Sequence, residues 1–94
     1  MRTVYKYPFA TGGDIAEQHI NVYGWATVRM VGLDPHGKPC IWAESSPKEE
    51  LSKRTIYVVG TGQPIPEEAE YYLGSFVQGP YVWHVYSRNL SREG

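Results

Sequence analysis

One cysteine, three histidines, a serine pair and a glycine-flanked loop are the groups in this chain with reactive or ligand-holding potential. A cysteine nucleophile needs a lowered pKa and an oriented histidine. Cys40, between Pro39 and Ile41, has neither nearby in sequence and reads as a small buried hydrophobe. His19, His36 and His84 lack the spacing of a metal site, and a single cysteine excludes an intramolecular disulfide and a multi-cysteine zinc site. His36 falls in a turn and reads as solvated. His84, between Trp83 and Val85, reads as a hydrogen-bonded strand residue rather than a general base. Ser45-Ser46 has no G-x-S-x-G context, and Asn89-Leu90-Ser91 is a glycosylation sequon that matters only in a secreted chain. These patterns assign no catalytic residue, no metal and no cofactor.

The loop is the better candidate. Gly60-Thr61-Gly62 follows a β-branched run, and consecutive backbone N–H groups can cradle an anion. The third glycine of a dinucleotide fingerprint is missing, and Pro64 and Pro66 remove two donors. A tight structural turn and a ligand-contacting loop both remain open. On the second reading the pocket is Gly60, Thr61, Gly62 and Gln63, with Arg54 as a fork for an anion and Trp42, Tyr57 and Trp83 as stacking faces. Alternation places Tyr57 opposite Ile56 and Val58, so it is expected to point away from the core.

The elements that must position these groups read as short strands. Arg2–Tyr7 alternates, with Tyr5, Tyr7 and Phe9 on one side, and Pro8 ends the pairing. His19–Tyr23 and Trp25–Val31 follow, with Ala26, Val28 and Met30 set against Thr27, Arg29 and Val31. Asp34-Pro35-His36-Gly37 fits a type I turn closed by a left-handed residue, which makes 25–44 a hairpin. Ser46-Pro47-Lys48-Glu49 has capping-box spacing and predicts one helical turn through Leu51. Arg54–Gly60 is a strand, and Tyr71–Val77 with Tyr81–Ser87 is a second hairpin across Gln78-Gly79.

The chain has 94 residues, which is one domain, read here as a β domain over 1–87 and a flexible polar tail over 88–94. Nine Lys+Arg against ten Asp+Glu give a net charge of −1, without the basic excess of a nucleic-acid binder. No apolar run approaches the ~20 residues of a membrane span. The expected fold is all-β, a small antiparallel sandwich or barrel of six to seven short strands with at most one or two helical turns. Large residues on both strand faces predict a further cover on the outside, most simply a homo-oligomer.

Four blocks stand out: Arg2-Thr3-Val4-Tyr5-Lys6-Tyr7-Pro8, Pro39-Cys40-Ile41-Trp42-Ala43, the run from Arg54 to Pro66, and the run from Gly74 to Val85. Together they resemble a family of small uncharacterised domains common in bacteriophage genomes. Residues 10–38 match none of these blocks. The resemblance implies a phage-encoded protein in the host cytoplasm and brings no established activity. Its motif residues are Gly, Pro, Thr, Trp and Tyr, which are poor at proton transfer. The expectation is a non-enzymatic accessory protein that antagonises a host factor or defence component by covering a protein surface or sequestering a nucleotide signal. A minor virion or morphogenesis component is the alternative.

Overall fold

The computed structural model describes residues 1–13, 16–24 and 26–88. The Asn89 sequon and most of the polar tail lie outside these residues. Seven antiparallel strands form two sheets: β1 (Thr3–Pro8), β2 (Glu17–Tyr23), β3 (Thr27–Leu33), β4 (Pro39–Ser45), β5 (Leu51–Gly60), β6 (Tyr71–Gln78) and β7 (Tyr81–Ser87). One sheet runs β1-β4-β3 and the other β2-β5-β7-β6. The fold is a small β-sandwich, as the alternating pattern predicts.

The core lies between the sheets. Tyr7, Phe9, Ile41 and Ala43 from one sheet meet Ile20, Val22, Ile56, Val58, Phe76 and Val85 from the other. Phe9 and Phe76 contact edge-to-face across the gap, with ring centroids 5.9 Å apart. Tyr57 and Val59 are also buried yet stand outside this cluster, on the other face of the same strand. A cavity lined by Val59, Ile65 and Tyr86 shows that the loop between β5 and β6 lies against that face. Part of the outer cover that the sequence demanded is therefore supplied by the chain itself.

Three sequence expectations need correction. Ser46–Glu49 is a turn, closed by Glu49 N–H to Ser46 O at 3.1 Å, and no helix follows. Leu51 instead opens β5, drawn into extended backbone by pairing with Tyr23 of β2. Pro8, expected to end the pairing after Tyr7, still belongs to β1 as its last residue, opposite Cys40. In β3 a bulge between Val28 and Met30 inserts one residue, so Val28 and Val31 both face the core. Met30, expected beside Val28, is turned out and half exposed. A second bulge, between Tyr72 and Gly74, does the same in β6. There φ is +156° at Gly74, and a Cβ would stand 3.3 Å from Val31 Cβ, so this glycine lets β6 approach β3.

The β3–β4 hairpin turns as expected. Asp34 accepts from the His36 and Lys38 N–H groups, both at 2.9 Å, and from Lys6 Nζ at 3.0 Å. Gly37, at φ +81°, closes the turn onto Asp34 O. The backbone donor of Lys38, then the Lys6 ammonium, hold the Asp34 carboxyl down to about 2, against the opposing effect of burial. The same hydrogen bond raises Lys6, and burial raises the Cys40 thiol. Cys40 is fully buried, which suits packing and not nucleophilic attack. A carboxyl lowered on folding contributes stability above its ordinary pKa that is lost as pH falls through its folded value. The melting temperature of the wild type should therefore fall more steeply than that of Asp34→Asn between about pH 4 and pH 2. Scanning calorimetry at both limits measures the difference, and parallel curves would refute the assignment.

Candidate functional site

Antiparallel register, set far apart in sequence, assembles one end of the sandwich. Gly60, the last residue of β5, pairs with Trp83 of β7, which in turn pairs with Phe76 of β6. The chain then turns sharply: Gln63 N–H donates to Gly60 O at 3.0 Å, and Gly60 N–H donates to Gln63 Oε1 at 2.8 Å. Thr61 N–H donates to Val82 O at 3.2 Å, tying the turn to β7. Gly62 has φ +90° with open space where a Cβ would stand. A valine there strains the backbone and crowds nothing.

Three adjoining cavities of about 260, 290 and 280 Å³ share Gln63 as a lining residue. Trp83 walls the first two. Its Nε1–H donates to Gln78 Oε1 at 2.9 Å, and that oxygen also accepts from the Thr11 hydroxyl at 2.8 Å. Tyr81 stacks on Trp83 with centroids 5.7 Å apart and rings inclined by 30°. Among the described residues no Lys, Arg, Asp or Glu lines any of the three cavities.

The residues singled out from sequence divide accordingly. Gly60, Thr61, Gly62, Gln63 and Trp83 come together. Arg54 does not: it lies six positions back along β5, about 20 Å away at the rise of a strand. Its Nη2 donates to Gly24 O at 3.1 Å, at the opposite end of the fold. Trp42 is in β4 of the other sheet, between Lys6 and Met30. Tyr57 faces away from the inter-sheet core, as alternation requires, but is only 1% exposed and offers no stacking face. Three of the loop's four N–H groups are committed inside the fold, and Arg54 stands away from it.

A second feature borders the third cavity, on the outer face of β6 and β7. Tyr72 Oη lies 2.6 Å from Ser75 Oγ, Ser75 Oγ 2.7 Å from His84 Nδ1, and His84 Nε2 2.8 Å from Thr61 Oγ1. Thr61 Oγ1 donates onward to Val82 O at 3.4 Å. A carbonyl only accepts, and one proton arrangement then satisfies every contact. Thr61 donates to Val82, His84 Nε2–H to Thr61, Ser75 to His84 Nδ1, and Tyr72 to Ser75. The tautomer is assigned from this network. Ser75 and His84 have the spacing of a nucleophile and a base, but the row ends on a backbone carbonyl where a triad has a carboxylate. It orients the ring and fixes Thr61. Sequence reading gave His84 a strand role and missed Ser75 and Tyr72, because the Leu73 bulge decides which β6 residues face His84.

Among the described residues no three His, Cys, Asp or Glu side chains gather as a metal site. No curated protein and no solved structure matches the chain. The family comparison is positive: a family model spans residues 1–94, and the chain belongs to the family described as Domain of unknown function (DUF7352).

Proposed function

We propose that this chain is a phage-encoded accessory protein that acts by binding, not by covalent chemistry, and antagonises a host factor or defence component. The observation that carries the reading is the group of three cavities around Gln63. They are lined by Gly, Ala, Pro, Val, Ile, Thr, Gln, His, Tyr and Trp, which recognise by shape and hydrogen bonding. Parts of the Arg54–Pro66 block and of the Gly74–Val85 block, two of the four that resemble phage domains, build this end of the fold. The described lining carries no Lys, Arg, Asp or Glu, which favours a neutral group over a phosphate, so a nucleotide signal would present its base here.

Self-association belongs to the same proposal. The β6–β7 hairpin carries no Asp, Glu, Lys or Arg from Tyr71 to Ser87. Val77 and Tyr81 on it are 64% and 60% exposed, and β6 is an edge strand. Natural edges are usually guarded by charge, so this one suits a second copy in a two-fold dimer. The same face is what favours the alternative of a minor virion component. Native mass spectrometry of protein isolated from producing cells reads both parts at once. The expected spectrum is a dimer with a retained small molecule or a host polypeptide. A bare monomer at micromolar concentration from infected cells would overturn the reading.

A further inference from the structure

The turn at Gly60–Gln63 fixes the direction of one amide. A backbone N–H can only donate, so the atom that meets Gly60 N–H must be the oxygen of the Gln63 side chain. The Gln63 amide nitrogen keeps both its protons, on the residue common to three cavities. Thr61 is fixed in the complementary sense. It donates to Val82 O and faces His84 Nε2, which leaves its oxygen with one acceptor position. Two residues of one turn therefore offer a donor and an acceptor.

Both line the cavity of about 290 Å³, together with Gly60, Tyr81 and Trp83. Gly60 matters for access, since a Cβ there would stand 3.3 Å from Trp83 Cζ3. Ligand pockets begin at about 300 Å³, so the space suits one heterocycle and not a dinucleotide. Among the described residues no cation lines it, and Glu67, Glu68 and Glu70 follow in the same loop. Phosphate gains nothing there.

We propose that this cavity takes the lactam edge of a neutral nucleobase, as found in uracil or hypoxanthine. The ring carbonyl accepts from Gln63 Nε2, the adjacent ring N–H donates to Thr61 Oγ1, and the ring packs against Trp83. The proposal rests on the binding reading above and names its ligand class.

Tryptophan fluorescence and calorimetric titration with uridine, inosine, N3-methyluridine, adenosine and uridine 5′-monophosphate test it. Uridine or inosine should bind, and N3-methyluridine and adenosine, which lack the N–H beside a carbonyl, should bind at least about tenfold more weakly. The monophosphate should match uridine within about threefold, because no cation meets its phosphate. Gln63→Ala and Thr61→Val should each lose about tenfold, with Arg54→Ala unchanged. A monophosphate preferred tenfold, full affinity in folded Gln63→Ala, or no nucleoside binding at about 10 mM would each overturn it. If native mass spectrometry then still shows a retained molecule of another class, the ligand assignment alone fails. A bare monomer there removes the binding reading as well.

Discussion

Ile56→Ala should lower the unfolding free energy by about 3 kcal/mol, within the range for emptying a buried aliphatic site. Ile56 is 0% exposed and sits in β5, which pairs with β2 on one side and β7 on the other. The site cannot collapse easily, because Ile20 and Val22 of β2 and Val85 of β7 share its cluster. At roughly 4–8 °C per kcal/mol for a domain of this size, the melting temperature should drop by at least about 12 °C. Leu51→Ala, in the same strand but at a 57% exposed position, should change stability by less than about 0.5 kcal/mol. Denaturant titration of both variants gives the contrast. A loss below about 1 kcal/mol for Ile56→Ala would mean that the centre of the sandwich is misplaced.

The fold was largely legible because most of its cues are local. Asp34, Pro35 and Gly37 specify the β3–β4 turn through their own backbone preferences and one short side chain. Period-two alternation places Tyr5, Tyr7 and, just past β1, Phe9 on one side, and Trp83 and Val85 on one face of β7, as found. What alternation cannot show is an inserted residue. Arg29 and Leu73 have no special residue type, yet each shifts the phase of its strand and turns Met30 or Ser75 to the outer face. The serine of the capping-box pattern does accept locally, from Lys48 N–H at 3.4 Å, which closes a turn and not a helix start. Pairing of Leu51 with Tyr23 overrides what would have followed.

The candidate site was legible only where its parts share a turn. Gly60 to Gln63 are contiguous, and Trp83 joins them because of the long-range register between β5 and β7. Arg54 was drawn into the sequence-based pocket by proximity along the chain, but extended backbone carries it away at about 3.3 Å per residue. Its guanidinium meets Gly24 O instead. Tyr57 was placed on the correct face, yet the strand pattern cannot reveal that this face is covered near Val59 by the loop bearing Ile65. Strand spacing fixes direction and leaves burial to tertiary structure.

Trp83→Ala should have the second large effect, about 3 kcal/mol, at the low end for losing a tryptophan because the ring is only half buried. The indole holds three things in place. It stands beside Gly60, it stacks on Tyr81, and its N–H donates to Gln78 Oε1. Gln78 keeps the Thr11 hydroxyl in Trp83→Phe, so that variant should lose only about 1 kcal/mol, the worth of one hydrogen bond. Trp42→Ala, in the other sheet, separates a general loss of aromatic area from a local one. The amide resonances of Gly60 to Gln63 should shift in Trp83→Ala and stay in place in Trp42→Ala. Should both variants move them equally, or neither, Trp83 is not the wall that holds this turn, and the cavities around Gln63 lose their physical basis.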